Sequence, residues 1–322
     1  MEQLEGSRQR KKEGAKRRLH TRNRPQSLVI IALGGNSLLS AKKRFSFHQE
    51  MENVHSACLQ IKNISQLGYR IVLTHGNGPQ VGDILLQQKL ARRLVPPMPL
   101  DVCGAQTQGE LGYVIQRALR PLVHKPIITV LTQTVVDRKD PAFRNPTKFI
   151  GPFFSRKEPG MKKDSNRGYR KVVPSPEPLE IVESKEIQRL VQEDFIVIAC
   201  GGGGIPVFKT AKGYEGAEAV IDKDLASERL AASLGAHILL ILTDVECAYL
   251  DYGTPKQKPL RKLSLKEAEM LYKQGQFPPG SMGPKILASI RFLKHGGTRA
   301  VITSPEKAVL AIKGNAGTEI TK

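Results

Sequence analysis

LVIIALGGN, residues 28–36, is the stretch that decides the fold. Six apolar residues follow one another with no polar alternation. That marks a strand covered on both faces, the habit of parallel sheets in α/β proteins. The run stops at Gly34-Gly35. The same figure recurs outward from it. IVLTH (71–75) runs into Gly76-Asn77-Gly78, IITVLT (127–132) follows, and FIVIAC (195–200) ends at four glycines, 201–204. HILLILT (237–243) reaches Asp244, and TRAVIT (298–303) closes the series. Helical periodicity fills the gaps over 48–67, 80–90, 105–119, 184–192, 224–234, 265–273 and 284–294. Strands alternating with helices predict an α/β open sheet with helices on both faces.

Two stretches break this rhythm. Residues 137–180 are rich in Pro, Lys and Arg with little apolar periodicity. A connection that long inside a compact chain reads as a lid or projecting subdomain. Residues 205–221 read as a β-hairpin turning near Lys212-Gly213.

Composition narrows the class. The 322 residues are 40% hydrophobic and 25% charged, ordinary for a globular chain. No apolar run approaches the roughly 20 residues a membrane span needs, and no secretory h-region opens the sequence. Cys58, Cys103, Cys200 and Cys247 stand far apart without a CxxC pair. They read as buried inert thiols of a reducing, cytoplasmic environment rather than a metal or redox motif. The formal charge is +20. Residues 1–26 hold nine Lys/Arg against three Glu, a net +6, and the other +14 is spread along the chain. The segment lacks apolar periodicity and reads as a disordered basic tail. A transit peptide and a misassigned start are the other readings; Glu2, Glu5 and Glu13 argue against the former. A basic balance favours anionic partners, small phosphates as well as polymers.

In an open parallel sheet, ligands bind beyond the carboxyl ends of the strands. Three of the strands end there in glycines, where backbone N–H groups can approach an anion closely. One such loop is ordinarily just a turn; three at one edge point to an oxyanion or phosphate site. No P-loop, G-x-G-x-x-G, H-E-x-x-H or G-x-S-x-G pattern is present. Three lysines stand out by context: Lys148 in NPTKFIGPF, Lys223 in VIDKDLA and Lys285 in GSMGPK. A lone lysine is ordinarily a solvated charge. Lys223 and Lys285, however, open predicted helices, where the dipole repels a cation unless an anion sits between. Asp222 and Asp224 flank Lys223. Either is a good helix cap, and one of them could hold two lysines together against their repulsion.

At this point a resemblance becomes specific. LGGNS, HGNGPQVG, PTKFIGPF, VVPSPEP, CGGGGIPV, EAVIDKDLA, LTDV and GSMGPK, in this order from about Leu28 to Thr318, resemble carbamate kinases of the amino-acid kinase superfamily. LGGN and LTDV are shared with other branches, whereas PTKFIGPF, VVPSPEP and VIDKDLA are specific to this one. The resemblance implies a three-layer α/β/α sandwich around an open, mainly parallel eight-stranded sheet, with a small protruding subdomain at about 137–180. It implies one kinase domain over 27–318, with a co-substrate half at about 27–195 and a nucleotide half at about 196–318. It also implies a homodimer, ATP or ADP with Mg2+, and carbamate or carbamoyl phosphate, in the ATP-forming direction of arginine fermentation (the arginine deiminase pathway). By position, Lys148, Lys223, Lys285 and Asp224 would be catalytic. Gly34, Gly35, Asn36, Gly76, Asn77, Gly78, Gly201, Gly202 and Gly203 would hold the co-substrate and transferring phosphoryl group. Thr243, Asp244, Val245, Tyr249, Ser281, Met282 and Gly283 would surround the nucleotide. No protein ligand to the metal is expected, since Mg2+ is held mainly by phosphate and water. Two departures stand out: Ser37 takes the place of an alanine, and 155–170 is shorter than the family's protrusion.

Other functions are weighed against this one. A different superfamily phosphotransferase would need a larger acceptor pocket, and PTKFIGPF speaks against it. A nucleic-acid or regulatory binding protein on the same fold would rest on the +20 charge alone. Aromatics are only 5%, with no Trp and no aromatic–basic interleaving of the RNA-binding kind.

Overall fold

The computed structural model describes residues 27–34, 47–164 and 167–322. The expected tail over 1–26 lies outside the described residues, as do Gly35, Asn36 and Ser37.

The main sheet holds eight strands, numbered here in chain order: β1 Leu28–Leu33, β2 Arg70–His75, β3 Ile127–Thr129, β4 Ile196–Ile198, β5 Ile238–Leu242, β6 Lys262–Ser264, β7 Arg299–Thr303 and β8 Thr318–Thr321. Their spatial order is β6-β8-β7-β5-β1-β2-β4-β3. All neighbours are parallel except β7 and β8. β1 lies at the centre, with Ile31 opposite Leu240 on one side and Leu73 on the other. Its residues divide strictly by period two. Leu28, Ile30 and Ala32 feed one core, and Val29, Ile31 and Leu33 feed the other. An unbroken apolar strand therefore needs a helical layer on each face.

Eight helices are described: α1 Phe47–Gln66, α2 Gly78–Ala91, α3 Leu100–Leu119, α4 Ser184–Gln192, α5 Lys223–Ser233, α6 Leu265–Lys273, α7 Met282–Lys294 and α8 Ala308–Ile312. Ile187 of α4, Leu230 of α5, Ala268 of α6 and Ile286 of α7 pack on the Ile30 face. Ile61 of α1, Ile115 of α3 and Ala311 of α8 pack on the Ile31 face. The three-layer α/β/α sandwich around a mainly parallel eight-stranded sheet is what the chain adopts.

Some elements differ from the sequence reading. The strand expected over 127–132 stops at Thr129; Gln133–Val135 then joins a second sheet with Ile205–Thr210, Gly213–Gly216 and Glu180–Ile181. The strand expected over 195–200 is only β4, because Cys200 turns left-handed at φ 48°. The hairpin expected over 205–221 ends at Gly216: Thr210 pairs with Gly213, so the turn is Ala211-Lys212. β6 and β8 carry no apolar run and escaped the pattern.

Within 137–180 three antiparallel strands, Lys148–Phe154, Tyr169–Val173 and Met161–Lys163, form a small sheet of their own. It meets α2 through two glycines: a Cβ built on Gly82 would stand 2.0 Å from the Cα of Gly151, whose φ is +70°. The backbones touch where any side chain would part them.

Candidate functional site

Among the described residues, Gly34, the Gly76–Gly78 loop and the glycine turn at 201–204 follow the carboxyl ends of β1, β2 and β4, and they border a single open cleft. Its lining includes Gly34, Gly76, Asn77, Gly78, Lys148, Gly202, Asp222, Lys223, Asp224, Thr243, Asp244, Ser281, Gly283 and Lys285. The three lysines, far apart in sequence, thus share one cavity.

Lys223 is the first residue of α5 and Lys285 the fourth of α7. Asp224 lies between them. Its Oδ1 is 2.7 Å from Lys223 Nζ and its Oδ2 is 3.1 Å from Lys285 Nζ. The Lys285 contact is a hydrogen bond. The Lys223 approach is an ion pair without hydrogen-bond alignment, since Oδ1 finds no donor of good geometry. Asp224 is 4% exposed, and burial alone would push its pKa up; the two ammonium charges override burial and hold it well below the usual carboxylate range. The lysines part company. Burial dominates at Lys223 and, with the Lys285 charge, lowers its pKa despite Asp224. At Lys285 burial also lowers, but Asp224 and Asp222 outweigh it and the pKa rises. Lys223 Nζ also donates to the Ala32 carbonyl at 3.4 Å, fastening it to the end of β1. Two cations on one buried carboxylate form a charged triad that carries a net positive charge.

Lys148 opens the small sheet and reaches across to Asp222, Nζ to Oδ2 2.5 Å. The other oxygen of Asp222 caps α5, accepting from Asp224 N at 2.9 Å and Leu225 N at 3.4 Å. The sequence offered Asp222 as a cap or as a holder of neighbouring lysines; its partnership with Lys148 needs the fold.

The glycine loops are shaped from below. Gly202 has φ 64° and a Cβ there would lie 2.2 Å from Asn77 Nδ2. Asn77 Nδ2 donates to Thr107 Oγ1 at 2.7 Å. A Cβ on Gly201 would meet His75 Nε2 at 2.6 Å. His75 is buried; desolvation chiefly, with the nearby Lys223 charge, lowers its pKa to about 4 against the opposing bond to the Gly76 carbonyl, so the imidazole is neutral at pH 7. The Gly76 and Gly203 N–H groups donate within the protein, to Leu33 O at 3.1 Å and Cys200 O at 2.9 Å, and their part is to shape turns. α2 begins at Gly78, with Pro79 following. Its first turn has N–H groups with no intrahelical partner.

Of the nucleotide-side residues, Thr243, Asp244, Ser281 and Gly283 line the cleft. Val245, Tyr249 and Met282 are not among its lining. Tyr249 stacks on Tyr252 with ring centroids 5.8 Å apart, and Met282 packs into the core beneath. Gly201 and Gly203 are buried and are not among the cleft's lining. Sequence reading missed Tyr272, Pro278 and Arg170, which the cleft includes. A single arginine or tyrosine carries no periodic signal.

Comparison with known proteins places the chain. A sequence model of the amino acid kinase family matches residues 27–304. A carbamate kinase from Pyrococcus horikoshii is 50% identical over 309 residues, covering 91% of this chain and 98% of that protein. Carbamate kinases from Giardia lamblia solved with citric acid and with AMP-PNP superpose with TM-scores of 0.88 and 0.86, at 43% and 44% identity, each over 92% of this chain and 99% of its own.

Proposed function

The chain belongs to the carbamate kinases of the amino acid kinase family, and from that premise we propose that its cleft moves a phosphoryl group reversibly between ATP and carbamate. The observation that carries the reading is the meeting of Lys148, Lys223 and Lys285 on one cleft, two of them sharing buried Asp224.

Phosphoryl transfer asks a protein for in-line positioning and for positive charge on the equatorial oxygens, with little covalent work. In the ATP-forming direction a β-phosphate oxygen of ADP attacks the phosphorus of carbamoyl phosphate. The P–O bond to carbamate breaks, and carbamate leaves as an anion. No proton moves, so no general base is required. Lys223 and Lys285 face the migrating group as a pair whose mutual repulsion Asp224 offsets before substrate arrives. Lys148 exchanges its Asp222 contact for the carbamoyl phosphate end. Gly34, Asn77, Gly78 and Gly202 line the acceptor side. Thr243, Asp244, Ser281 and Gly283 line the nucleotide side, next to the N-terminus of α7, whose dipole favours phosphate.

Among the described residues no group of three or more His, Cys, Asp or Glu is placed to hold a metal ion, and Asp222 and Asp224 are engaged by lysines. That donor set fits an Mg2+ that arrives on the nucleotide, held by phosphate oxygens and water, with Asp244 the acidic side chain on that side of the cleft. When bound it neutralises charge on the phosphates.

The same reading includes a homodimer in the cytoplasm, working toward ATP in arginine breakdown. Among the described residues no helix is long and apolar enough to cross a membrane. The test is ATP formation from carbamoyl phosphate and MgADP in a coupled assay. Steady turnover is expected; silence from folded, ADP-binding protein would refute the reading.

A further inference from the structure

We infer that Gln108 is a positioning residue that aims the Gly202 N–H into the cleft. The inference rests on the reading above, in which Gly202 borders the acceptor side.

Gln108 sits in α3, 2% exposed, and its amide is fully used. Nε2 donates to the Thr132 carbonyl at 3.1 Å and to the Gly201 carbonyl at 2.9 Å. Oε1 accepts from Thr132 N at 2.8 Å. One side chain therefore fixes the segment after β3 and the glycine turn after β4. No peptide among the described residues is cis. In a planar trans peptide the C=O and the following N–H point in opposite directions. Holding the Gly201 carbonyl toward α3 thus turns the Gly202 N–H away from α3, toward the cleft that Gly202 lines. Two residues on, the Gly203 carbonyl accepts from Thr134 Oγ1 at 2.8 Å. Gly202 has positive φ and no side chain to restrain it. The Gly204 N–H also donates to the Gly201 carbonyl at 3.0 Å, but that bond moves with the glycine turn; Gln108 is what ties the carbonyl to α3, and without it the turn can pivot and the donor loses its aim. Donors of this kind matter only when already pointed at the developing charge.

The experiment compares wild type, Gln108→Leu, Gln108→Glu and the control Gln116→Leu. Gln116 lies on the same helix and bonds to Ile127 O, outside the cleft. Gln108→Glu keeps the acceptor for Thr132 N and loses both donations at neutral pH. Folding is scored by MgADP affinity from calorimetry, and kcat and KM are measured for each substrate. We expect the Gln108 variants to bind MgADP within twofold of wild type. Their kcat/KM for carbamoyl phosphate should fall at least about 30-fold, short of the roughly 100-fold or more for outright loss of one oxyanion donor, because the donor is misaimed rather than removed. Gln116→Leu should stay within threefold on both counts. Gln108→Glu should recover part of its rate as pH falls and its carboxyl regains a proton to donate. The inference is overturned if folded variants keep kcat/KM for carbamoyl phosphate, or if both substrates lose equally. It is also overturned if neither variant binds MgADP, since the residue then serves the fold alone. Wild-type protein that binds MgADP yet makes no ATP overturns the underlying reading instead.

Discussion

Lys148 Nζ and Asp222 Oδ2 stand 2.5 Å apart, so the carboxylate that caps α5 with one oxygen restrains a cleft lysine with the other. The two duties separate by substitution. Asp222→Asn keeps a capping oxygen and should change stability by under about 1 kcal/mol, whereas Asp222→Ala also loses the cap, roughly 1 kcal/mol more. Both should slow turnover by about tenfold, a loss of roughly 1.4 kcal/mol in the barrier. Urea unfolding beside steady-state kinetics checks this. Equal stability of Asn and Ala variants would contradict the capping role.

Asp224 pairs with both Lys223 and Lys285. Asp224→Asn leaves two ammonium groups facing each other in a buried place. Removing one partner of a buried pair typically costs about 3–5 kcal/mol, and kcat should fall at least about a hundredfold. Lys223→Ala should show a similar kinetic loss with a smaller loss of stability, because its burial is already unfavourable to charge. A chemical denaturation series on both variants decides the order.

His75 makes the fold acid-sensitive in a defined window. Its pKa is about 4 in the folded chain and about 6.5 when unfolded. Between those values the unfolded state binds the extra proton, so stability falls as pH drops from 6.5 toward 4 and is unaffected by this group above 6.5. The loss by pH 4.5 should be about 2–3 kcal/mol. Asp224, held low by its lysines, adds its own loss only below about pH 4, where its unfolded form protonates. Unfolding midpoints at pH 7 and 4.5 for wild type and His75→Asn check it; parallel shifts in both proteins would exclude His75 as the cause.

Gly82 is a packing device for the small sheet. In Gly82→Ala the new Cβ meets Gly151 backbone at 2.0 Å, and backbone on both sides cannot yield as a flexible side chain would. A destabilisation of roughly 1–3 kcal/mol is expected, together with early proteolysis within 148–173. Because Lys148 begins that sheet, KM for carbamoyl phosphate should rise while MgADP affinity holds. A rise confined to the nucleotide would contradict the assignment.

The sequence disclosed whatever rests on repetition. Six short, mainly apolar runs marked six of the eight strands of the main sheet, and helical periodicity gave α4 and α6 to the residue. β6, at the sheet's edge, and β8, beside it, stayed hidden because each is short and buries a single apolar side chain, Leu263 and Ile320. Lys223 and Lys285 were legible because a cation at a helix start is out of place. Gln108, His75 and the second duty of Asp222 were not, since each acts through a partner dozens of positions away.

All the chemistry hangs from one rim of the sheet, and the opposite rim is left unburdened. Gly68, Gly235 and Gly296 make the turns that lead toward β2, β5 and β7 there, each with a positive φ and open space where a Cβ would go. That margin is where a dye, an affinity handle or a surface tether can be grafted without disturbing turnover, so the molecule can be held by its heel while it works.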